Sequence, residues 1–150
     1  MKTQKSEIGK LGEDIACEYL IINKGFTIIE RNFRKPWGEL DIIAKDRGGI
    51  LVFVEVKTLR ECGNGNAAIA GLLPEENLTA AKLKKLKRTA AFYAGYNQDL
   101  INDEKGWRID LVAISLKNDY KQVINLFSQK DIQLAELLDY CDIRHLENIA

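Results

Sequence analysis

Three residues on neighbouring segments have the types and spacing of a site that hydrolyses phosphodiester bonds. Asp41 is followed by Glu55-Val56-Lys57 in the pattern D-x13-E-V-K. Two carboxylates can hold Mg²⁺ or Mn²⁺, since these hard cations prefer oxygen ligands. Such a metal stabilises charge on a phosphate and lowers the pKa of a bound water. A lysine beside it, here Lys57, can orient that water and stabilise the negative charge that develops.

The residues that must position this pattern read as a β-hairpin. Residues 39–45 and 50–57 have strand composition, and the second segment is the most apolar in the chain. Its apolar residues point to both faces, which places it at the centre of a sheet. The loop Arg47-Gly48-Gly49 is a common three-residue hairpin type and pairs Asp46 with Ile50.

This register has a consequence for charge. It places Asp41 opposite Glu55 and Glu39 opposite Lys57, all on one face of the hairpin. Opposed residues have Cβ atoms ~4.5–5.5 Å apart, so the two carboxylates repel unless a cation lies between them. A second interpretation stays open, in which residues 55–57 simply emerge into solvent and Glu39 forms a salt bridge with Lys57.

A predicted helix over residues 4–23 supplies a further carboxylate, Glu13. Gly9 and Gly12 form a line of small residues beside its apolar stripe and predict the close approach of another backbone. Glu13 lies next to Gly12, so it can reach the hairpin, although a solvated carboxylate is the alternative. The stripe recurs every three or four residues and consists of Ile8, Leu11, Ile15, Tyr19 and Ile22.

The remaining segments complete an α-β-β-β-α-β order. Strands are predicted over 26–33 and 107–116, and a helix over 80–96 with Thr79 as its N-cap. This order predicts an α/β fold with a mixed central sheet flanked by helices. We expect a single domain over residues 1–150.

The predicted core covers about residues 4–116, and residues 117–150 form a C-terminal extension. In the extension we expect a strand at 121–127, a helix at 130–139 and a short tail. Residues 61–77 are rich in Gly, Asn and Ala and predict a long irregular loop, of the length that is usually either functional or mobile.

Several short motifs follow one another along the chain in a specific succession. A weaker part of it lies in the second half of the chain and consists of Thr79-x-x-Lys82-x-x-Lys85, Arg108-Ile109-Asp110-Leu111-Val112 and the ending His145-Leu146-Glu147-Asn148. The main run consists of Gly12-Glu13-Asp14, Tyr19-Leu20, Gly25-Phe26, Arg31-Asn32-Phe33-Arg34, Gly38-Glu39-Leu40-Asp41-Ile42-Ile43 and Val52-Phe53-Val54-Glu55-Val56-Lys57. In this succession the chain resembles the uncharacterised YraN-like family. That family is similar to PD-(D/E)XK restriction-endonuclease-like nucleases and to archaeal Holliday-junction resolvases.

The resemblance implies a restriction-endonuclease-like core, in agreement with the element order. It implies Asp41 and Glu55 as ligands of Mg²⁺ or Mn²⁺, with the carbonyl of Val56 as a third. It implies Lys57 as the catalytic lysine and Glu13 as the helix-borne carboxylate that completes the site. Resolvase-like relatives act as dimers, so a homodimer is an expectation by analogy.

Basic residues concentrate next to these elements. Five cations stand within seven positions of the second helix, and some of them should contact backbone phosphates. Lys82 and Lys85 share one side of that helix. The expected contacts to nucleic acid are Arg34, Lys35, Lys82, Lys85 and Arg88.

Two other residues with chemical potential are given structural interpretations. Trp37 lies in the turn before the second strand, and we expect it to pack over the sheet edge rather than stack on a base. His145 is the only histidine, and we expect it on the surface and not as a general base. Nucleophile sites built on Ser-His or Cys-His therefore have little support.

Composition restricts the class of protein. The chain has 150 residues, 46% hydrophobic and 29% charged, which is ordinary for a globular domain. Its net charge is zero, so any basic surface must be local. The three cysteines are scattered and predict free thiols. Because the sequence shows neither a signal peptide nor an apolar run of ~18–20 residues, we expect no membrane segment and a cytoplasmic location.

Three functions are compatible with these residues. The first is a Mg²⁺-dependent endonuclease acting on DNA, including branched or structured DNA, without an organic cofactor. The second is a nucleic-acid-binding module that has the nuclease fold without useful turnover. The third is a small-molecule or metal-binding α/β domain whose lysines are only solvated surface. The complete set of Glu13, Asp41, Glu55 and Lys57 favours the first, since a pure binder has no need for opposed carboxylates.

Overall fold

A five-stranded mixed sheet with helices on both faces organises the described part of the chain. The structure, a computed structural model, describes residues 3–60, 78–117, 119–129 and 133–150. The helices are α1 (Gln4–Ile22), α2 (Ala80–Tyr96), α3 (Tyr120–Phe127) and α4 (Leu134–Leu137), with a 3-10 turn at Gln98–Leu100. The strands are β1 (Thr27–Lys35), β2 (Gly38–Lys45), β3 (Leu51–Arg60), β4 (Trp107–Leu116) and β5 (Cys141–Leu146).

The strands lie in the spatial order in which they occur along the chain. Neighbours pair antiparallel except β3 and β4, which are parallel and are connected by the segment that contains α2. A parallel pair needs such a crossover, because the chain must return to the end of the sheet at which the first strand began, and a tight turn is too short for this. The predicted α-β-β-β-α-β order and the mixed α/β class are therefore confirmed.

The sheet separates two apolar cores. Ile15 and Leu20 of α1 are fully buried against one face, and Leu86 of α2 packs with Phe53 on the other. Strand β3 contributes to both cores, as its apolar run predicts, and it lies in the centre of the sheet. The expectation for Ile22 is wrong, because it lies at the last turn of α1 and is 55% exposed.

The hairpin of β2 and β3 has the predicted register, but only in its first half. Pairing runs from Lys45–Leu51 to Ile42–Val54 and ends there in the described ladder. Asp41–Glu55 and Glu39–Lys57 are therefore not ladder pairs, and Glu39 instead pairs with Arg34 of β1. Among the ion pairs of the described residues none joins Glu39 to Lys57.

The pairing ends where the alternation of β2 is broken. Residues two apart on a regular strand share a face, yet Leu40 packs in the core under α2 while Ile42 packs in the core under α1. On the paired strand, Asn32 has φ of 53°, in the left-handed region that a regular strand does not use. Asp41 lies between Leu40 and Ile42, so this break determines the direction of its side chain.

Helix α1 approaches β3 closely at Gly12. A Cβ on Gly12 would overlap the side chain of Thr58, whose own Cβ would be 2.8 Å away. Gly9, one turn earlier, has open space around the corresponding position. The predicted close approach is thus confirmed at Gly12 and does not extend to Gly9.

We predict that Gly12→Ala and Gly9→Ala change stability in opposite directions. Alanine at Gly9 should raise the free energy of unfolding by ~0.5–1 kcal/mol, since glycine is a poor helix former. Alanine at Gly12 should lower it, because overpacking costs ~1–3 kcal/mol. Urea denaturation of both variants measures the difference, and equal changes would contradict the close packing of α1 on β3.

The C-terminal segment differs from the expectation. Residues 120–127 form helix α3 rather than a strand, with Tyr120 and Val123 on its buried side. The predicted helix at 130–139 appears in the described residues only as α4, and the tail contains strand β5, which pairs with β4. The prediction for residues 61–77 lies outside the described residues. No described helix is both long and apolar enough to cross a membrane.

Candidate metal and nucleic-acid site

One cavity of about 470 Å³ is lined by all four residues of the predicted catalytic set: Glu13, Asp41, Glu55 and Lys57. It opens where β2 and β3 cease to pair and where α1 lies closest to β3. The three elements that surround it are each fixed by the apolar cores.

Asp41 fills the gap between the two strands with its carboxylate. Its Oδ2 accepts a hydrogen bond of 2.8 Å from the backbone N–H of Val56. The side chain thus replaces the ladder bond that a regular β2 would have made to Val56. Because the N–H and C=O of one strand residue point to the same edge, the Val56 carbonyl also faces this gap.

The Asp41 and Glu55 carboxyl groups are in contact, and their acidity reflects it. Burial raises the pKa of Asp41, while the N–H of Val56 opposes that rise. Burial and the neighbouring Asp41 raise the pKa of Glu55 to about 8, against smaller opposing effects of Lys57 and Lys82. Two half-buried carboxyls in contact favour sharing a proton over carrying two negative charges.

The donor set fits a hard divalent cation that keeps part of its hydration. Asp41 and Glu55 offer carboxylate oxygens, and the Val56 carbonyl faces the same gap. Within the described residues no group of three or more His, Cys, Asp or Glu side chains is arranged to hold a metal. The protein would therefore supply few ligands, which is usual for Mg²⁺, since this ion is commonly held by one or two carboxylates together with waters and substrate phosphates.

Glu13 enters the cavity from α1 and is held near the two carboxyls by arginines. Burial and the charge of Asp41 raise its pKa, and Arg31 and Arg34 oppose that rise. Nη2 of Arg31 lies 4.0 Å from Oε2 of Glu13 and forms a closer ion pair, at 2.7 Å, with Oδ1 of Asp14. Sequence reasoning gave Arg31 no such role, although its place three residues before Arg34 in the motif run was a usable signal.

A basic groove of about 390 Å³ adjoins the carboxyl pair on the side of α2. Three of the predicted contacts to nucleic acid line it, namely Lys35, Lys82 and Lys85, against the two carboxylates of Glu39 and Glu55. Glu55 lines both this groove and the first cavity, so the two share a wall. The lysines of the groove are therefore close to Glu55, one of the carboxylates that would hold the metal.

The other two predicted contacts lie elsewhere. Arg34 lines a third cavity of about 740 Å³, together with Glu13 and Arg31, on the opposite side of the carboxyls. Arg88 is exposed on α2 and is not among the residues that line the basic groove.

His145 is not a surface residue, so that expectation is wrong. Its side chain is 3% exposed, and Nε2 lies 2.9 Å from Oδ2 of Asp110. Asp110 is fully buried and also accepts hydrogen bonds from Arg108 and from the backbone N–H of Asn148. This network anchors the C-terminal residues to β4.

The expected packing of Trp37 is confirmed. Its ring packs against Phe92 at 5.2 Å and Phe33 at 6.0 Å between centroids.

Comparison with known proteins gives the chain a family. The sequence profile of the uncharacterised protein family UPF0102 matches residues 12–114. The chain belongs to this family. It is the YraN-like family that the motif succession indicated.

Individual members of UPF0102 match over most of the chain. A UPF0102 protein of Persephonella marina is 42% identical over 111 residues, which are 74% of this chain and 84% of that protein. One from Dictyoglomus thermophilum is 36% identical over 126 residues, or 81% and 97%. One from Corynebacterium efficiens is 42% identical over 90 residues, or 60% and 66%.

The UPF0102 match includes the four predicted catalytic residues and leaves out the C-terminal strand. Glu13, Asp41, Glu55 and Lys57 all lie inside residues 12–114, as do the lysines of the groove. Strand β5 lies outside, together with His145. The part shared with the family is therefore the part that builds the candidate site.

We predict that Glu55 makes the metal-free protein less stable as pH rises. Its pKa is raised from 4.5 to about 8, so the folded state binds more protons than the unfolded state between these values. The free energy of unfolding should fall as pH rises through this window in wild type and should stay flatter in Glu55→Gln. Urea denaturation in EDTA from pH 5 to 9 measures both. Glu104→Gln, an exposed carboxylate in the turn before β4, is the control. Equal slopes in wild type and Glu55→Gln would contradict the account of Asp41 and Glu55 as a carboxyl pair that shares a proton.

Proposed function

We propose that this UPF0102 protein is a divalent-metal-dependent endonuclease that hydrolyses phosphodiester bonds in DNA, including branched or structured DNA. The observation that carries the proposal is the single cavity lined by Glu13, Asp41, Glu55 and Lys57. Carboxyl groups as crowded as Asp41 and Glu55 are costly in a folded protein without a function that needs them. The proposal includes a cytoplasmic site of action.

The proposed division of labour follows from the positions of the groups. Asp41, Glu55 and the Val56 carbonyl would hold Mg²⁺ or Mn²⁺. The bound metal would supply Lewis-acid stabilisation of the phosphate and a more acidic water. Lys57, on the same strand as Glu55, would orient the attacking water and stabilise negative charge on the phosphate oxygens. Glu13 would complete the site as the carboxylate that α1 contributes to the cavity.

The basic groove gives the substrate a place beside these groups. Lys35, Lys82 and Lys85 would contact phosphates next to the one that is cut, because the groove shares Glu55 with the cavity. Arg34 would contact the backbone on the other side, where it lines the third cavity. A substrate strand would then cross the carboxyl pair between two basic surfaces. A homodimer, which would suit a two-fold symmetric junction, stays a prediction.

One observation favours the second candidate function, a nucleic-acid-binding module without significant catalysis. The described residues contain no cluster of three acidic, His or Cys side chains arranged around a metal. A protein that only binds would keep the basic groove and would not need the metal. The two functions differ in whether DNA is cut.

A cleavage panel separates the two candidates. Single-stranded, duplex, flapped and four-way-junction DNA, and RNA, are incubated with Mg²⁺, Mn²⁺ or EDTA. We expect cutting that requires the metal and is lost in Lys57→Ala and Asp41→Asn, while both variants still bind. Binding without cutting by wild type would favour the binding module. Neither binding nor cutting would contradict both.

Binding of the same DNA molecules at several salt concentrations tests the groove with matched lysines of α2. Lys82→Ala and Lys85→Ala should weaken binding and reduce the slope of log affinity against log salt by ~0.9 for each lost phosphate contact. Lys84→Ala is the control, because Lys84 is exposed on the same helix but is not a groove-lining residue. Equal losses from all three variants would show that only general positive charge matters.

A further inference from the structure

One side of α2 carries a regular stripe that the proposed site uses only in part. Residues 82, 85, 89, 92 and 96 follow each other at spacings of three and four, which keeps them on one side of a helix. The stripe begins with Lys82 and Lys85 and ends with Phe92 and Tyr96. Its first half is thus basic and its second half aromatic.

The basic half belongs to the groove beside the carboxyl pair. Lys82, Lys85 and Thr89 line that groove together with Glu55. The charge of Lys82 also acts on Glu55, which shows that the two side chains are near each other. A phosphate held here would lie next to the candidate metal ligands.

Both side chains of the aromatic half are exposed. Phe92 is 48% exposed and Tyr96 is 83% exposed. One side of Phe92 rests on Trp37, with ring centroids 5.2 Å apart, so the ring is held in place while its remaining surface faces solvent. A ring that is both anchored and exposed is a suitable platform for stacking.

The two halves are connected through the turn before β2, because Thr89 between them is buried against Gly38. Trp37 packs on Phe33, and the ammonium group of Lys35, a groove residue, lies 5.6 Å from the centroid of the Phe33 ring. Along the helix Phe92 lies about 10 Å beyond Lys85, at a rise of ~1.5 Å per residue. A strand of a few nucleotides can therefore reach from one half to the other.

The charges differ between the two ends of the stripe. Tyr93, beside Phe92, donates a hydrogen bond of 3.2 Å to Glu30. Burial and the carboxylates of Glu30 and Asp99 raise the pKa of Tyr93 to about 12. Phosphates are therefore favoured at the lysine end, whereas the aromatic end suits uncharged bases. Stacking aromatics combined with a basic groove are the features by which proteins bind single strands.

We propose that the Lys82–Tyr96 side of α2 binds the unpaired nucleotides of a branched or tailed DNA. Phosphates lie on Lys82 and Lys85, and bases stack on Phe92 and Tyr96. Paired bases inside a duplex cannot use the aromatic half, because both of their faces are covered by neighbouring base pairs. The inference rests on the proposed function and narrows its substrate to DNA with a single-stranded part next to the cut.

Binding in EDTA tests this without any cleavage. The probes are a blunt duplex, the same duplex with a three-nucleotide tail, and the duplex with an abasic tail that keeps the phosphates. Wild type is compared with Tyr96→Ala, Phe92→Ala and Phe92→Leu, the last of which keeps apolar packing on Trp37. Ile22→Ala, another exposed apolar residue but on α1, is the control. 2-Aminopurine in the tail reports stacking directly by fluorescence quenching.

We expect the tailed duplex to bind more tightly than the blunt or abasic forms. Phe92→Ala and Tyr96→Ala should each weaken the tailed complex by about 5-fold to 150-fold, the range that follows from the loss of one stacked base. Neither should change blunt-duplex binding, and quenching of 2-aminopurine should fall in both. Equal affinity for blunt and tailed DNA, or an effect of the variants on both alike, would overturn the inference and leave the proposed nuclease intact. Failure of wild type to bind any probe would also overturn the inference, and the cleavage panel with Mg²⁺ or Mn²⁺ then decides the proposed nuclease separately.

Discussion

The repulsion between the Asp41 and Glu55 carboxyl groups is the constraint around which this end of the sheet is arranged. Burial raises the pKa of both carboxyl groups, and the neighbouring Asp41 raises the pKa of Glu55 further, so without a cation the pair favours holding a proton. A divalent ion in place of that proton would also relieve the repulsion between the carboxyl groups, and both would then be charged. The lysines on either side, Lys57 and Lys82, already reduce part of the same cost. The proposed function is one way of using an arrangement that would otherwise only destabilise the fold.

The backbone makes this arrangement possible by giving up regular structure at one place. The left-handed Asn32 lies opposite the break in β2, the ladder to β3 ends, and Asp41 takes over a backbone hydrogen bond. Two buried cores on either side of the sheet hold the strands where they diverge. Gly12 lets α1 come close enough to bring Glu13 to the same cavity. A regular hairpin would have paired the strands further and closed the gap.

Local patterns were sufficient for the elements and insufficient for features that depend on distant partners. The apolar runs of β2, β3 and β4, the Thr79 cap of α2 and the first half of the hairpin register follow from the sequence. The break at Asp41 does not, because it depends on Asn32 in another strand. Residues 121–127 have strand-like composition, yet they form a helix that buries Tyr120 and Val123 one turn apart. His145 was misplaced because its partner, Asp110, is 35 positions away in the sequence.

Calorimetric titration of Mn²⁺ into the metal-free protein tests the central claim most directly. At pH 7, in two buffers of different ionisation enthalpy, we expect about one Mn²⁺ to bind per chain with release of about one proton, because Glu55 has a pKa of about 8 and must lose its proton to become a ligand. Asp41→Asn should abolish this binding. Absence of Mn²⁺ binding, binding without proton release, or unchanged binding in Asp41→Asn would contradict the account of this carboxyl pair as a metal site.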